Sequence, residues 1–483
     1  MENALLLIGF LFIISVFFSK VSDKYGIPAL LFFLAVGMLA GSDGVLKIPF
    51  DNVKIAGDIG TIALIYILFA GGLDTNIKAI APIYKAGLVL ATLGVIITAL
   101  ILGAFVYFLL NFSFLESLLL ASIISSTDAA AVFAILRSKN IKLKNNIGEL
   151  LEFESGSNDP MAIFLTMTLI SFMTMPTTPS ATEWIVDLLL QFGLGGLLGY
   201  LAGIGLPILM NKIRLSVWGL YPVLMLSIVV FLFGICTKIG GNGYIAVYIA
   251  GIFANKKDFV HKKNLVGFFD GIAWLMQVFI FLTLGLLVYP TELPSVAIIS
   301  LILSIFLMFV ARPISVFIGL IFTKFKIKEK SFISWVGFRG VVPIILATYP
   351  LAHGIENGQT IFNIVFFMVL ISVLLQGATL GKMAVWLDIK APLAEPISPT
   401  AGKPIFYSGI RQFSVPEKSK FIGHNLAEAE FSKDFLIVLI KRGDNFFKPT
   451  GSYDFEEGDV VLVYCKDEDL YNSILKEFDE RVA

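Results

Sequence analysis

From Ala4 to Leu387 the chain alternates between apolar runs of membrane length and short polar segments. A helix needs roughly 20 apolar residues to cross about 30 Å of hydrocarbon. Thirteen stretches reach or approach that length, near 3–19, 27–41, 57–73, 86–110, 115–136, 149–173, 184–209, 217–236, 243–254, 266–289, 294–322, 332–351 and 361–387. They predict an all-α polytopic membrane chain, with several spans shortened or broken by Gly and Pro. The first run follows Glu2 and lacks a basic n-region, so it reads as a span and not a cleaved leader. After Leu387 the pattern changes. The Pro-rich segment from Lys390 to Ile405 reads as a linker. Beyond it, runs such as Phe435–Arg442 and Val460–Lys466, joined by Gly-containing turns, predict the strands of a small α+β domain. The expected division is 1–388 in the membrane, 389–404 as linker and 405–483 as a cytoplasmic domain.

Composition excludes a soluble protein: 57% of the 483 residues are hydrophobic and 15% charged, with a mean hydropathy of +0.87. Charge in the loops tests the register of the spans, because cytoplasmic loops carry the excess of Lys and Arg. Alternate loops hold eighteen basic residues, from Lys20 and Lys24 to Lys328 and Lys330, while the opposite loops hold Lys47, Lys54 and Lys238. That asymmetry places the N-terminus outside and the tail domain inside a cell (inner) membrane. Residues 404–483 carry ten basic and fifteen acidic side chains, a net of −5 that suits docking on basic loops. Zero net charge overall and no basic aromatic stretch leave no footprint for nucleic acid. Cys236 and Cys465 offer neither a disulfide framework nor metal-ligand spacing, so no cofactor or transition metal is expected.

An internal repeat emerges when the first six spans are set against the last six, leaving the seventh as a connector. Gly26–Ser42 is similar to Gly243–Asn255, and ILFAGGL in the third span to IFLTLGL in the tenth. An offset of seven spans inverts one half relative to the other, as in many secondary transporters. The fifth span carries Ser125-Ser126-Thr127-Asp128 at its middle, and the twelfth carries Gly337-Phe338-Arg339-Gly340-Val341-Val342-Pro343. Both are expected to be broken helices that cross, leaving half-helix termini at membrane depth. Asp128 and Asp159 both fall within apolar spans, and a carboxylate in that position is a transport-site candidate by default. Capping of a helix end is the plainer role for each, more readily for Asp128, since Thr127-Asp128 also makes a good capping pair.

Four segments resemble the NhaP-like branch of the cation/proton antiporters, most closely its bacterial potassium/proton members with a cytoplasmic tail: SSTDAAAVF from Ser125, LEFESGSNDPMA from Leu151, VARP from Val310 and GFRGVVPIILA from Gly337. The resemblance implies thirteen helices divided between a dimerisation part and a mobile core, elevator-like movement and a homodimer. It implies that Asp159 is the central cation- and proton-binding carboxylate, with Asp128, Thr127 and Ser155 as neighbouring oxygen ligands. Asn158 in the position before that Asp is similar to the electroneutral branch. Glu154 and Arg339 would form a buried, structural ion pair, while Arg312 has no assigned role. Where relatives often carry an acid in the third span, this chain has Ala70.

These readings converge on a secondary antiporter exchanging a monovalent cation for protons. Burial favours a neutral, proton-bearing carboxyl and a bound cation favours the carboxylate, so one site can serve both ions in turn. Oxygen ligands suit hard cations without choosing between potassium and sodium, and potassium is preferred on the resemblance alone. The alternative is a cation channel gated by the tail, without obligatory proton movement. An intramembrane enzyme is disfavoured, because the spans hold no nucleophile–His pair and no metal cluster. The tail, from Gly423-His424-Asn425-Leu426 through Glu457-Gly458-Asp459, resembles the C-terminal ligand-binding subdomain (TrkA-C or RCK-C) of potassium-conductance regulators. It is expected to bind a small molecule or nucleotide. No Gly-rich dinucleotide fingerprint precedes it, so a nicotinamide cofactor is not expected.

Overall fold

Several helices of the first 390 residues begin where the sequence supplies caps. In the computed structural model, the described residues are 6, 9–17, 29–75, 77–139, 141–174, 180–390 and 410–479 apart from 418, 427, 430, 433, 444 and 466. Most of the linker, the ends of the first span and the loop with Lys20 and Lys24 lie outside them. Asn52 accepts from the Ile55 N–H at 3.0 Å, Ser113 with Glu116 and Ser180 with Glu183 form capping boxes, and Asn242 accepts from the Ile245 N–H at 3.1 Å. Each satisfies a donor that the first turn would otherwise leave open. Seven described helices are long and apolar enough to cross a membrane: Val53–Asp74, Tyr84–Leu109, Thr182–Ile213, Leu220–Lys238, Lys262–Leu287, Leu293–Gly319 and Gly358–Trp386. Ala29–Ala40, Phe114–Ile123, Gly243–Asn255 and Val341–Ala352 are shorter apolar helices. The helix Ile147–Thr174 carries Asp159 and, unusually for a helix interior, Pro160.

Two close helix crossings are lined by glycine. Val53–Asp74 crosses Gly243–Asn255 so closely that a Cβ on Gly72 or Gly251 would overlap the partner backbone. Ala29–Ala40 crosses Lys262–Leu287 the same way at Gly37 and Gly285. Small residues permit such approach where lipid supplies no hydrophobic drive between helices. Tyr84–Leu109 contains a π turn at Leu90–Gly94 and Leu293–Gly319 one at Leu307–Ala311. Loops that the sequence assigns to one side also meet each other. On the Lys-rich side Asn145 Nδ2 donates to Glu329 Oε1 at 2.5 Å and Lys144 Nζ lies 2.8 Å from Asp388 Oδ1. Leu143 and Lys390 form an antiparallel bridge there, and the Lys144 N–H donates to the Ile389 carbonyl at 3.0 Å. On the opposite side Asn357 Nδ2 donates to Glu116 Oε1 at 2.7 Å and Asn363 Nδ2 to Glu292 Oε2 at 2.8 Å.

The chain separates into compact units at Met1–Ala391 and Pro392–Ala483. The second holds a four-stranded antiparallel sheet of β1 (Ile410–Ser414), β2 (Leu436–Arg442), β3 (Asn445–Phe447) and β4 (Val460–Tyr464), in the order β1-β4-β2-β3. Alternation buries Val461 and Val463 of β4. Gly443 turns β2 into β3 at φ +57°, a left-handed conformation that favours glycine. The helix Glu468–Asp479 closes the core through Phe478, whose ring centroid lies 4.4 Å from that of Phe421 and 4.6 Å from that of Phe413. A polar node fixes the turn before β4: buried Asp459 accepts from Arg442 Nε at 2.8 Å, Arg442 Nη2 at 2.9 Å, the Tyr453 hydroxyl at 3.1 Å and the Glu456 N–H at 3.0 Å.

Candidate cation and proton site

Two interrupted helices meet at the centre of the membrane unit. Phe114–Ile123 stops and Ala129–Ser138 resumes after five residues without regular helix; Ile327–Trp335 and Val341–Ala352 flank a second such gap. The gaps touch. The Asp128 N–H donates to the Phe338 carbonyl at 2.8 Å, and a Cβ on Gly340 would overlap the Asp128 carboxylate. Gly340 caps Val341–Ala352, so Asp128 stands at the N-terminal end of two half-helices, where partial positive charge collects. Pro343 lies in the first turn of that helix, where its missing N–H has no intrahelical acceptor to disappoint.

The helix with Asp159 is clamped to the first gap by side chains. Ser155 Oγ donates to the Thr127 carbonyl at 2.9 Å and accepts from the Ala129 N–H at 3.0 Å. Asn158 Oδ1 accepts from the Thr127 N–H at 3.3 Å while its Nδ2 donates to Thr127 Oγ1 at 2.6 Å. Thus Thr127, Asp128, Ser155, Asn158 and Asp159 are brought into one cluster, and the first four make backbone contacts that hold the unwound segment open. Asp159 is 8% exposed, and its Oδ1 makes no hydrogen bond among the described residues. Ser126 and Asp128 are the groups within its electrostatic reach on the facing segment.

The expected pairing of Glu154 with Arg339 requires correction. Glu154 Oε1 lies 2.6 Å from Arg312 Nη1, and these side chains are 1% and 4% exposed. Arg339 instead donates through Nη1 to the carbonyls of Ser125 and Ser126, at 2.6 Å each. The reason is electrostatic: Phe114–Ile123 ends there with unpaired carbonyls and partial negative charge, which a guanidinium can satisfy. The Arg339 N–H donates to Ser372 Oγ at 3.1 Å, and Gln376 Nε2 donates to the Trp335 carbonyl at 2.8 Å, closing the end of the other half-helix. Ser372 and Gln376 are not among the residues that the motifs singled out. A polar residue repeated at i, i+4 in an otherwise apolar span, as in Ser372 and Gln376, was the available signal.

Crossed, interrupted helices around a buried carboxylate define a membrane ion-coupled transporter. Residues 10–386 match the family model described as sodium/hydrogen exchanger, transmembrane, and residues 410–478 match the TrkA-C domain. The chain belongs to the sodium/hydrogen exchanger family and carries a TrkA-C domain at its C-terminal end. It is 36% identical to the K(+)/H(+) antiporter NhaP of Alkalimonas amylolytica, covering 96% of this chain and 81% of that one. Identity is 38% with the K(+)/H(+) antiporter NhaP2 of Shewanella sp. (strain MR-4), over 97% of this chain and 82% of the relative. Among solved structures, the sodium proton antiporter MjNhaP1 from Methanocaldococcus jannaschii at pH 8 superimposes with a TM-score of 0.71 at 26% identity, covering 80% of this chain and 99% of that one. These relatives are transporters and not enzymes.

Proposed function

We propose that this protein exchanges potassium, or sodium, for protons at Asp159, without net charge transfer. The carrying observation is the Asp159 carboxyl itself, buried beside the crossing with Oδ1 unengaged by the described residues. Thr127, Asp128 and Ser155 supply further oxygens, and Asn158 positions Thr127. Charge balance favours neutral exchange. Around the crossing stand two guanidiniums, Arg312 and Arg339, and three carboxylates, Glu154, Asp128 and Asp159. Neutralising Asp159 with either a proton or a monovalent cation balances the set, whereas a bare Asp159 leaves one buried negative charge, which is costly in a membrane interior. Both permitted states are therefore neutral, and either can cross.

Alternating access through two inverted six-helix repeats in a thirteen-span topology fits the paired glycine crossings, paired π turns and touching gaps. Family membership and the basic loops support an orientation with the N-terminus outside and the tail in the cytoplasm. Exposed apolar side chains such as Leu189 and Phe231 suit contact with lipid or with a second copy in a homodimer. The TrkA-C domain is assigned a regulatory role through a small-molecule or nucleotide ligand; deletion of residues 395–483 should change transport across pH, salt and nucleotide additions, and unchanged transport would remove that role.

Proteoliposomes with a trapped pH-sensitive dye test the exchange. Potassium or sodium should drive proton movement that is insensitive to imposed voltage and lost in Asp159→Asn. Cation current without proton movement would replace the antiporter with the tail-gated channel.

A further inference from the structure

Val53–Asp74 meets Gly243–Asn255 backbone to backbone at Gly72 and Gly251, but nearer its start it presents a different face to the half-helix Val341–Ala352. Gly57, Gly60 and Thr61 lie on that face, opposite Ile345, Thr348 and Tyr349, and Thr61 Oγ1 lies 3.4 Å from the Tyr349 hydroxyl. The two glycines differ in the room they leave. A Cβ on Gly57 would meet Thr348 Oγ1 at 3.5 Å and Tyr349 Cε1 at 3.8 Å, which is ordinary contact. A Cβ on Gly60 would lie 2.8 Å from Ile345 Cγ2, 3.1 Å from Cγ1 and 3.3 Å from Cδ1. Ile345 is branched at Cβ and stiff, so it has little freedom to turn aside. Ile344, Ile345, Leu346 and Ala347 are all fully buried, so packing grips this turn of the half-helix on every side. Ile345 stands only about 7.5 Å along the axis from Gly340, the cap residue. At that cap Gly340 packs directly on the Asp128 carboxylate, so a shift of the half-helix can only loosen the contact.

We infer that Gly60 is a positioning residue of the cation site: by leaving room for Ile345 it sets how near the N-terminal end of Val341–Ala352 comes to Asp128. The inference rests on the exchange reading above, in which Asp128 supplies an oxygen to the cation. The partial positive charge of a helix end acts within its first turn, so a small retreat weakens its hold on the Asp128 carboxylate.

The test measures proton movement against potassium or sodium concentration in proteoliposomes of the full-length chain, normalised to folded protein. Gly60→Ala should raise the cation KM about fivefold, the scale of one helix end's charge interaction, with the maximal rate unchanged. Gly57→Ala makes the same change on the same face where a methyl has room, and should keep the wild-type KM. Ile345→Ala removes the three atoms that the Gly60 methyl would meet and leaves their seat empty, so it too should raise KM. Adding Gly60→Ala to it refills part of the seat and should lower KM again, a comparison that holds even where Gly60→Ala alone does not fold. An unchanged KM in folded Gly60→Ala, with or without a fall in maximal rate, would overturn the inference. So would an equal rise in Gly57→Ala, or a double variant with KM no lower than that of Ile345→Ala. Wild-type exchange lost in Asp159→Asn, combined with an inert Gly60→Ala, would remove this inference alone. Absence of cation-driven proton movement in wild type would remove the exchange reading and the positioning role with it.

Discussion

Replacing Arg312 with Gln should unfold the membrane unit more readily than replacing almost any other single polar residue. Its guanidinium meets Glu154 at 2.6 Å with both side chains nearly inaccessible. Removing one member strands the other charge, at about 3 to 5 kcal/mol. Glu154→Gln should cost a similar amount for the converse reason. In the double variant neither charge is stranded, so much of the loss should be recovered, leaving a coupling energy of about 2 kcal/mol or more in the double-mutant cycle. Thermal unfolding of the detergent-solubilised protein, followed by intrinsic Trp fluorescence, reads all four points of the cycle. A parallel cycle between Glu154 and Arg339 should give the smaller coupling, because Arg339 is spent on the carbonyls of Ser125 and Ser126. Additivity of Glu154 and Arg312 within about 0.5 kcal/mol, or a larger coupling to Arg339, would refute the assignment.

Ser155→Ala should release both the Thr127 carbonyl and the Ala129 N–H, costing about 1 to 3 kcal/mol in unfolding scans and weakening cation KM in vesicles about tenfold. Asn158→Asp should make exchange respond to an imposed membrane potential, since it adds a charge beside the neutral cycle and takes away the donor to Thr127 Oγ1; voltage-insensitive exchange would count against the charge-balance argument. In the tail, burial pushes the Asp459 carboxyl up, but hydrogen bonds from Arg442, the Glu456 N–H and Tyr453 hold it below its ordinary value of 3.8. A depressed native value gives stability that is present above the unfolded value and lost as pH falls through the native one. Hydrogen exchange in full-length protein should accordingly show β4 protected at neutral pH, less so in strong acid, and less so at neutral pH in Asp459→Asn.

The seven long apolar helices were legible because length and apolarity largely determine what a bilayer accepts. The two gaps were legible too, since Ser-Ser-Thr-Asp and Gly-Phe-Arg-Gly place polar and permissive residues where a helix is weakest. What the sequence withheld was azimuth. Arg312 and Arg339 both sit in apolar spans, and depth cannot say which of them faces Glu154; that depends on the rotation of two helices about their axes and on the path of the unwound segment that carries Arg339. Asp459 was expected only as part of a turn. Its partner Arg442 lies on the neighbouring strand β2, and strand register is a tertiary property.

At the Lys-rich side, the bridge between Leu143 and Lys390, the Lys144–Ile389 hydrogen bond and the Lys144–Asp388 ion pair form a short clip between the end of the helix Gly358–Trp386 and the loop residues 141–146. That loop joins the half-helix Ala129–Ser138 to the helix bearing Asp159. In mechanical terms the clip sets a load path. A pull on the chain at Lys390 is therefore shared between the helix Gly358–Trp386 and the loop that leads into the helix bearing Asp159.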